Sequence, residues 1–199
     1  MAAKAGDEQA QFDLAELYKN GIFIPQDYAE AIKWFEQASK NKNFKAIWNS
    51  GQIYEFGLGK AVNYKKAFEL YQTGLSSGNP DIQYALANLY SKGLGVEKNL
   101  SMARYLFEQS AKQGNISAQY RLGKIYLGGV GVPPNTTLGI NYLKQAIQQG
   151  NVQSMVALGK FYRNNKDNNR NLKEAKKLFV KGCLLGSDVA CKFLNTNKK

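Results

Sequence analysis

The chain has 199 residues, 44% of them hydrophobic, with 12 tyrosines, 10 phenylalanines and 2 tryptophans; that much apolar surface excludes a disordered polymer. The formal charge is +12 and there is no histidine, so the usual general base and the commonest metal ligand are both missing. No apolar run approaches the roughly 18 residues a membrane span needs, and the opening MAAKAGDEQAQF lacks the apolar core of a signal peptide.

Asp7 precedes the first predicted helix, over residues 8–20, and Asp27 precedes the second, over 28–40. Each sets a short acceptor side chain where the first backbone N–H groups of a helix lack partners, worth about 1 kcal/mol. The same pair of elements then recurs. First helices are predicted near 44–56, 80–92, 116–128 and 152–164, behind Asn43, Asn79, Asn115 and Asn151, and Ser187 opens a last one. Second helices are predicted near 64–77, 100–113, 136–149 and 172–185, behind Asn63, Asn99, Asn135 and Asn171. Pro80 sits one residue inside its helix, where a missing N–H costs nothing. Glu30 and Glu174, three residues after caps, are placed to complete capping boxes. Gly128, Gly129 and Gly131, followed by Pro133-Pro134, stop the helix before them.

These elements are copies of one unit. Tyr18, Tyr54, Tyr90, Tyr126 and Tyr162 stand 36 residues apart, as do Phe35, Tyr71, Phe107, Leu143 and Phe179. No insertion breaks the register. A two-helix unit of this size cannot cover its own apolar face, so the units must stack. The expected architecture is an all-α solenoid of five 36-residue repeats, near 6–41, 42–77, 78–113, 114–149 and 150–185, with partial units at 1–5 and 186–199, in one domain. Small residues recur where helices must approach closely. One such column is Ala15, Gly51, Ala87, Gly123 and Gly159; another is Ala38, Gly74, Ser110, Ala146 and Gly182. Two units depart from the pattern. Repeat 1 has Phe23 where later units have Gly59, Gly95 and Gly131, and repeat 5 replaces its connection with a polar loop over 164–170. The end, from Asn195 to Lys199, reads as a polar, fraying cap. Ala2-Ala3-Lys4-Ala5-Gly6 aligns with Ser110-Ala111-Lys112-Gln113-Gly114, so we expect a trimmed piece of a longer array, its signal peptide removed.

The charge is uneven: residues 1–60 carry a net −1 and residues 160–199 a net +8. A basic end of this kind meets nucleic acid or acidic partners, or simply keeps exposed helix faces soluble. Two cysteines without histidine cannot complete a zinc site, and no serine–histidine pair exists. We therefore expect no cofactor and no enzyme.

The unit G-D-x-x-A-x-x-x-L-A-x-x-Y-x-x-G, then D-Y-x-x-A-x-x-W-F-x-x-A, runs from Gly6 to Ala38 and resembles the Sel1-like repeat, a relative of the tetratricopeptide repeat. The resemblance covers essentially the whole chain. It implies a right-handed α/α superhelix with a concave groove, a monomer that holds other proteins, and no shared catalytic residues. Cys183 and Cys191 straddle the turn between a second helix and the next first helix. On residues alone, a disulfide and two buried thiols are equal readings. Their setting is similar to the cysteine-rich Sel1 proteins of Helicobacter and its relatives, which implies a disulfide and a periplasmic or secreted bacterial protein, with the cytoplasm as the alternative. Those relatives are linked to penicillin binding, so Ser39-Lys40-Asn41-Lys42, an S-x-x-K match, offers a β-lactamase-like hydrolase as one alternative function; the companion S-D-N and K-T-G motifs are missing. Nucleic-acid binding through the basic end is the other.

By the tetratricopeptide analogy the first helices line the groove. Trp48, Tyr84 and Tyr120 are expected as its apolar floor, with core packing as the rival reading of that column, and Arg121, Lys124, Lys160 and Arg163, with Lys92, as its basic side. Asn49, Gln52 and Asn88 are expected to hydrogen-bond an extended peptide's backbone. The partner implied is a protein or peptide, acidic toward the last repeats.

Overall fold

A computed structural model describes residues 2–40, 43–165 and 169–195. Among them lie eleven α-helices and no strand. They are α1 (Glu8–Asn20), α2 (Tyr28–Ser39), α3 (Phe44–Phe56), α4 (Tyr64–Gly74), α5 (Pro80–Lys92), α6 (Leu100–Lys112), α7 (Ile116–Gly128), α8 (Thr136–Gln148), α9 (Val152–Asn164), α10 (Asn169–Leu184) and α11 (Asp188–Asn195). The all-α repeat fold expected from the period is the one observed. Of the loop expected over 164–170, residues 166–168 lie outside the described residues, as do residues 196–199 of the polar end.

The chain divides into two compact units, residues 1–110 and 111–199. In the first, neighbouring helices pack in pairs from α1–α2 through α4–α5. In the second, α7 to α11 do the same, and α7 also touches α9. Both units bury the column that was 36-periodic in the sequence: Phe35, Tyr71 and Phe107 in one, Leu143 and Phe179 in the other, all at most 2% exposed. The small-residue column of Gly51, Gly123 and Gly159 lies against it, while Gly74 and Gly182 of the other column face Ile82 and Ala190. A Cβ added at Gly123 would meet Leu143 Cγ at 2.6 Å, so that position has room for a hydrogen atom and no more.

The caps form as the side chains dictate. Asp7, Asn43, Asn115 and Asn151 each accept from the backbone N–H three residues on, at 2.7 to 2.9 Å. The turn inside each of the first four repeats closes by a second recurring bond. The backbone N–H groups of Asp27, Asn63, Asn99 and Asn135 donate to the carbonyls of Tyr18, Tyr54, Tyr90 and Tyr126 at 2.8 or 2.9 Å. This bond corrects the capping box expected at Glu30. The Asp27 N–H it would accept from is already taken, and the Glu30 carboxylate pairs with Lys33 instead. Asn171 is a second correction. α10 starts at Asn169, so Asn171 falls inside the first turn, where its side-chain amide donates to the Asn165 carbonyl at 3.0 Å. Glu174, three residues further on, pairs with Lys177 at 2.9 Å.

Phe23 adopts φ 66°, the left-handed value that Gly59, Gly95 and Gly131 adopt at the equivalent turns. Its side chain is 96% exposed. Gln11 and Gln119, a column not read in the sequence, donate from their side-chain amides to the carbonyls of Ala3 and Ala111, eight residues earlier in each case. The leading segment is thus held as the end of a second helix is held.

Candidate functional site

Side chains on a helix that are three and four residues apart share a face. On α7 this groups Tyr120, Lys124, Leu127 and Gly128; on α9 it groups Gln153, Val156, Ala157, Lys160 and Phe161. In residues 111–199 these two faces border an open cleft of about 340 Å³. A second cleft, about 450 Å³, adjoins it through Tyr120, Gln153, Val156 and Lys160, and adds Arg121, Val152, Ser187 and Val189. Tyr120, expected in the apolar floor, is therefore brought together with Arg121, Lys124 and Lys160, three of the residues expected at the basic end. Among the described residues, no acidic side chain lines either cleft. Lys124 Nζ lies 5.7 Å from the Tyr120 ring centroid, a cation–π approach that leaves the ammonium positive.

Arg163 is placed differently. Its guanidinium stacks 4.2 Å over the ring of Phe193, with Lys160 Nζ 5.0 Å from the same ring. Phe193 in turn stacks on Phe179 at 4.9 Å. It belongs to α11, which the Cys183–Cys191 disulfide ties to α10 with the two Cα atoms 4.7 Å apart. The disulfide thus fixes the short helix that begins directly after Ser187 and supplies Val189 to the second cleft.

In residues 1–110, Trp48 packs on Tyr71 at 5.6 Å and Tyr84 on Phe107 at 5.8 Å between ring centroids. Both remain half-buried, with one face in the core. The polar residues expected beside them are less available. Asn49 accepts from Lys19 Nζ at 2.7 Å and donates to the Lys45 carbonyl at 3.0 Å. Asn88 is 9% exposed, and its Oδ1 is buried without a hydrogen-bond partner. Gln52 is half-buried and Lys92 exposed. Beneath them Tyr71 donates its hydroxyl to Glu55 Oε2 at 2.9 Å. Burial pushes the Glu55 carboxyl above the usual carboxylate range, against the opposing pulls of that hydrogen bond and of Lys92. Burial, then the Glu55 charge, raises the Tyr71 phenol as well.

Ser39, the nucleophile of the hydrolase alternative, ends α2 and donates to the Glu36 carbonyl at 2.9 Å; Asn41 and Lys42 lie outside the described residues. Among the described residues there is no group of three or more metal-ligating side chains, and no helix long and apolar enough to cross a membrane. Leu127, Gly128, Gln153, Ala157 and Phe161 were not anticipated as site residues. Their signal is a column comparison: Gly128 stands where other repeats carry Asn20, Phe56, Lys92 and Asn164, and its missing side chain leaves the cleft open.

Comparison with known proteins returns one family. The model described as Sel1 repeat matches residues 8–43, 45–79, 80–115, 116–151 and 152–187. No curated protein matches the chain. Among solved structures, c5321, a protective antigen present in uropathogenic Escherichia coli strains and displaying an SLR fold, is 29% identical with a TM-score of 0.84. The match covers 95% of this chain but only 41% of the antigen, so the chain spans less than half of that protein. A Sel1 repeat protein from Oxalobacter formigenes is 22% identical with a TM-score of 0.85, covering 96% of this chain and 78% of that one. The immunity protein Pa5087 from Pseudomonas aeruginosa is 21% identical with a TM-score of 0.58, covering 88% and 64%. The last two likenesses show the fold alone.

Proposed function

Because the chain belongs to the Sel1 repeat family, we propose that it is a non-enzymatic scaffold holding an extended, partly acidic protein segment against the inner faces of its first helices. Sel1 repeats generally mediate protein–protein interaction. The observation that carries the finer reading is the pair of clefts between α7 and α9, where Arg121, Lys124 and Lys160 surround Tyr120 with no carboxylate among the lining residues. In residues 1–110 the half-buried rings of Trp48 and Tyr84 offer apolar platforms of the kind that anchor partners. The disulfide supports an oxidising setting, the bacterial envelope or outside the cell.

Charge reversal tests the reading. Lys124 and Lys160 are exposed, so Lys124→Glu with Lys160→Glu leaves thermal stability near wild type. The double variant should slow association with a fluorescein-labelled glutamate-rich peptide by about tenfold or more at low salt, and less at high salt. Unchanged association would remove the basic clefts from the interface.

A further inference from the structure

We infer that the two clefts between α7 and α9 read a short motif: a large apolar side chain and a carboxylate side chain two positions apart. This rests on the scaffold reading and specifies what its basic end selects. The clefts share one floor, yet their remaining walls differ. The first is completed by Leu127, Gly128, Ala157 and Phe161, with Lys124 the one further charged side chain. The second is completed on its polar side by Arg121 and Ser187. A guanidinium presents five N–H donors in a planar fork that matches a carboxylate. Asp188, next to Ser187 in sequence, lines neither cleft.

The apolar cleft exists because two positions are small. A Cβ added at Gly128 would meet nothing closer than Val130 Cγ2, at 3.7 Å. Ala157 stands in the column that carries Asp13, Asn49, Ala85 and Arg121 in other repeats. Polar or charged side chains at these points would occupy the space; here it is left for a ligand's leucine, methionine or phenylalanine. In an extended peptide, alternate side chains project to the same side, about 6.6 Å apart. Two adjoining clefts on one floor therefore take residues i and i+2, which sets the order apolar–any–acidic or its reverse.

The test is fluorescence anisotropy with three fluorescein-labelled glycine–serine decapeptides. The parent carries leucine, serine and glutamate in succession; a second replaces the leucine by serine; a third replaces the glutamate by glutamine. Wild-type protein should bind the parent about tenfold more tightly than the leucine-free peptide, as burial of one such side chain implies. It should also bind the parent several-fold more tightly than the glutamine peptide, and salt should shrink that second preference. Gly128→Leu, at a position with room for its Cβ, fills the apolar cleft and should abolish the leucine preference while keeping the glutamate preference. Ala157→Leu fills it from the facing helix and should do the same. Arg121→Gln should give the opposite pattern. If the wild type binds the peptides but both preferences survive in all three variants, or fall together in each, the two-subsite inference is wrong and the scaffold reading stands. If no peptide binds, the inference falls, and unchanged association in the lysine double variant would take the basic-cleft reading with it.

Discussion

Replacing Gly51 by alanine should destabilise the protein, although alanine is the better helix former. Gly51 lies in α3 against Tyr71 of α4. An added Cβ would sit 2.2 Å from Tyr71 Cε1 and 2.6 Å from Cζ, where carbon atoms in contact settle near 3.5–4.0 Å. The ring must retreat by more than an ångström, and it has nowhere to go. It is fully buried, it packs against Trp48, and its hydroxyl is bonded to Glu55. Overpacking of a tight core costs about 1–3 kcal/mol, and the contact here belongs at the upper end. The gain in helix propensity returns about 1 kcal/mol. The net loss is about 2 kcal/mol, roughly 4–8 °C for a chain of this length. Repeats 1 and 3 pair Ala15 with Phe35 and Ala87 with Phe107 at these columns, all buried. Gly51→Ala combined with Tyr71→Phe should therefore regain about half the loss or more. Urea denaturation followed by circular dichroism measures both. A single variant as stable as wild type, or a double variant no better than the single, would refute the reasoning.

Phe23→Gly should stabilise by about 1 kcal/mol, since the left-handed backbone at φ 66° strains a bulky residue and the ring contributes almost no burial; a loss of stability would show that Phe23 makes a contact worth more than the strain. Glu55→Gln should be more stable than wild type at pH 7. The folded carboxyl holds its proton more tightly than the unfolded one, so its contribution is full below the ordinary carboxylate value and is lost as pH rises through the raised one. The gap should close as pH falls to about 4, and a gap independent of pH would contradict this. Cys183→Ser with Cys191→Ser should cost the terminal helix about 2–3 kcal/mol, since the bridge closes a short loop. Amide exchange should quicken in α11 and stay unchanged in α7 to α9; uniform quickening would mean the bridge supports the whole unit.

What was legible in the sequence was what a local rule enforces. Asn43 and Asn115 had to begin helices because a short acceptor at a capping position serves one purpose, and Gly123 had to face another helix because Leu143 leaves no room for a methyl group. What depends on tertiary placement was not. Asn88 shares a column with the exposed Lys124 and Lys160, yet α5 turns it into the protein, to 9% exposure. Asn49 was read as offering hydrogen bonds to a peptide, but Lys19, thirty residues earlier, already holds its oxygen. Asn171 looked like a cap because four predecessors in its column are caps; α10 begins two residues sooner. The apolar cleft escaped notice because absent side chains open it, at Gly128 and Ala157, and a search for functional groups does not register an absence.

The account's central claim is that the inner faces of α7 and α9 dock an acidic, apolar-containing segment. Titration of ¹⁵N-labelled protein with the leucine–serine–glutamate peptide tests it most directly. The account predicts chemical-shift changes clustered at Tyr120, Arg121, Lys124, Gln153 and Lys160, with α8 silent. Changes centred on α8 and α10, or none at peptide concentrations up to millimolar, would contradict it.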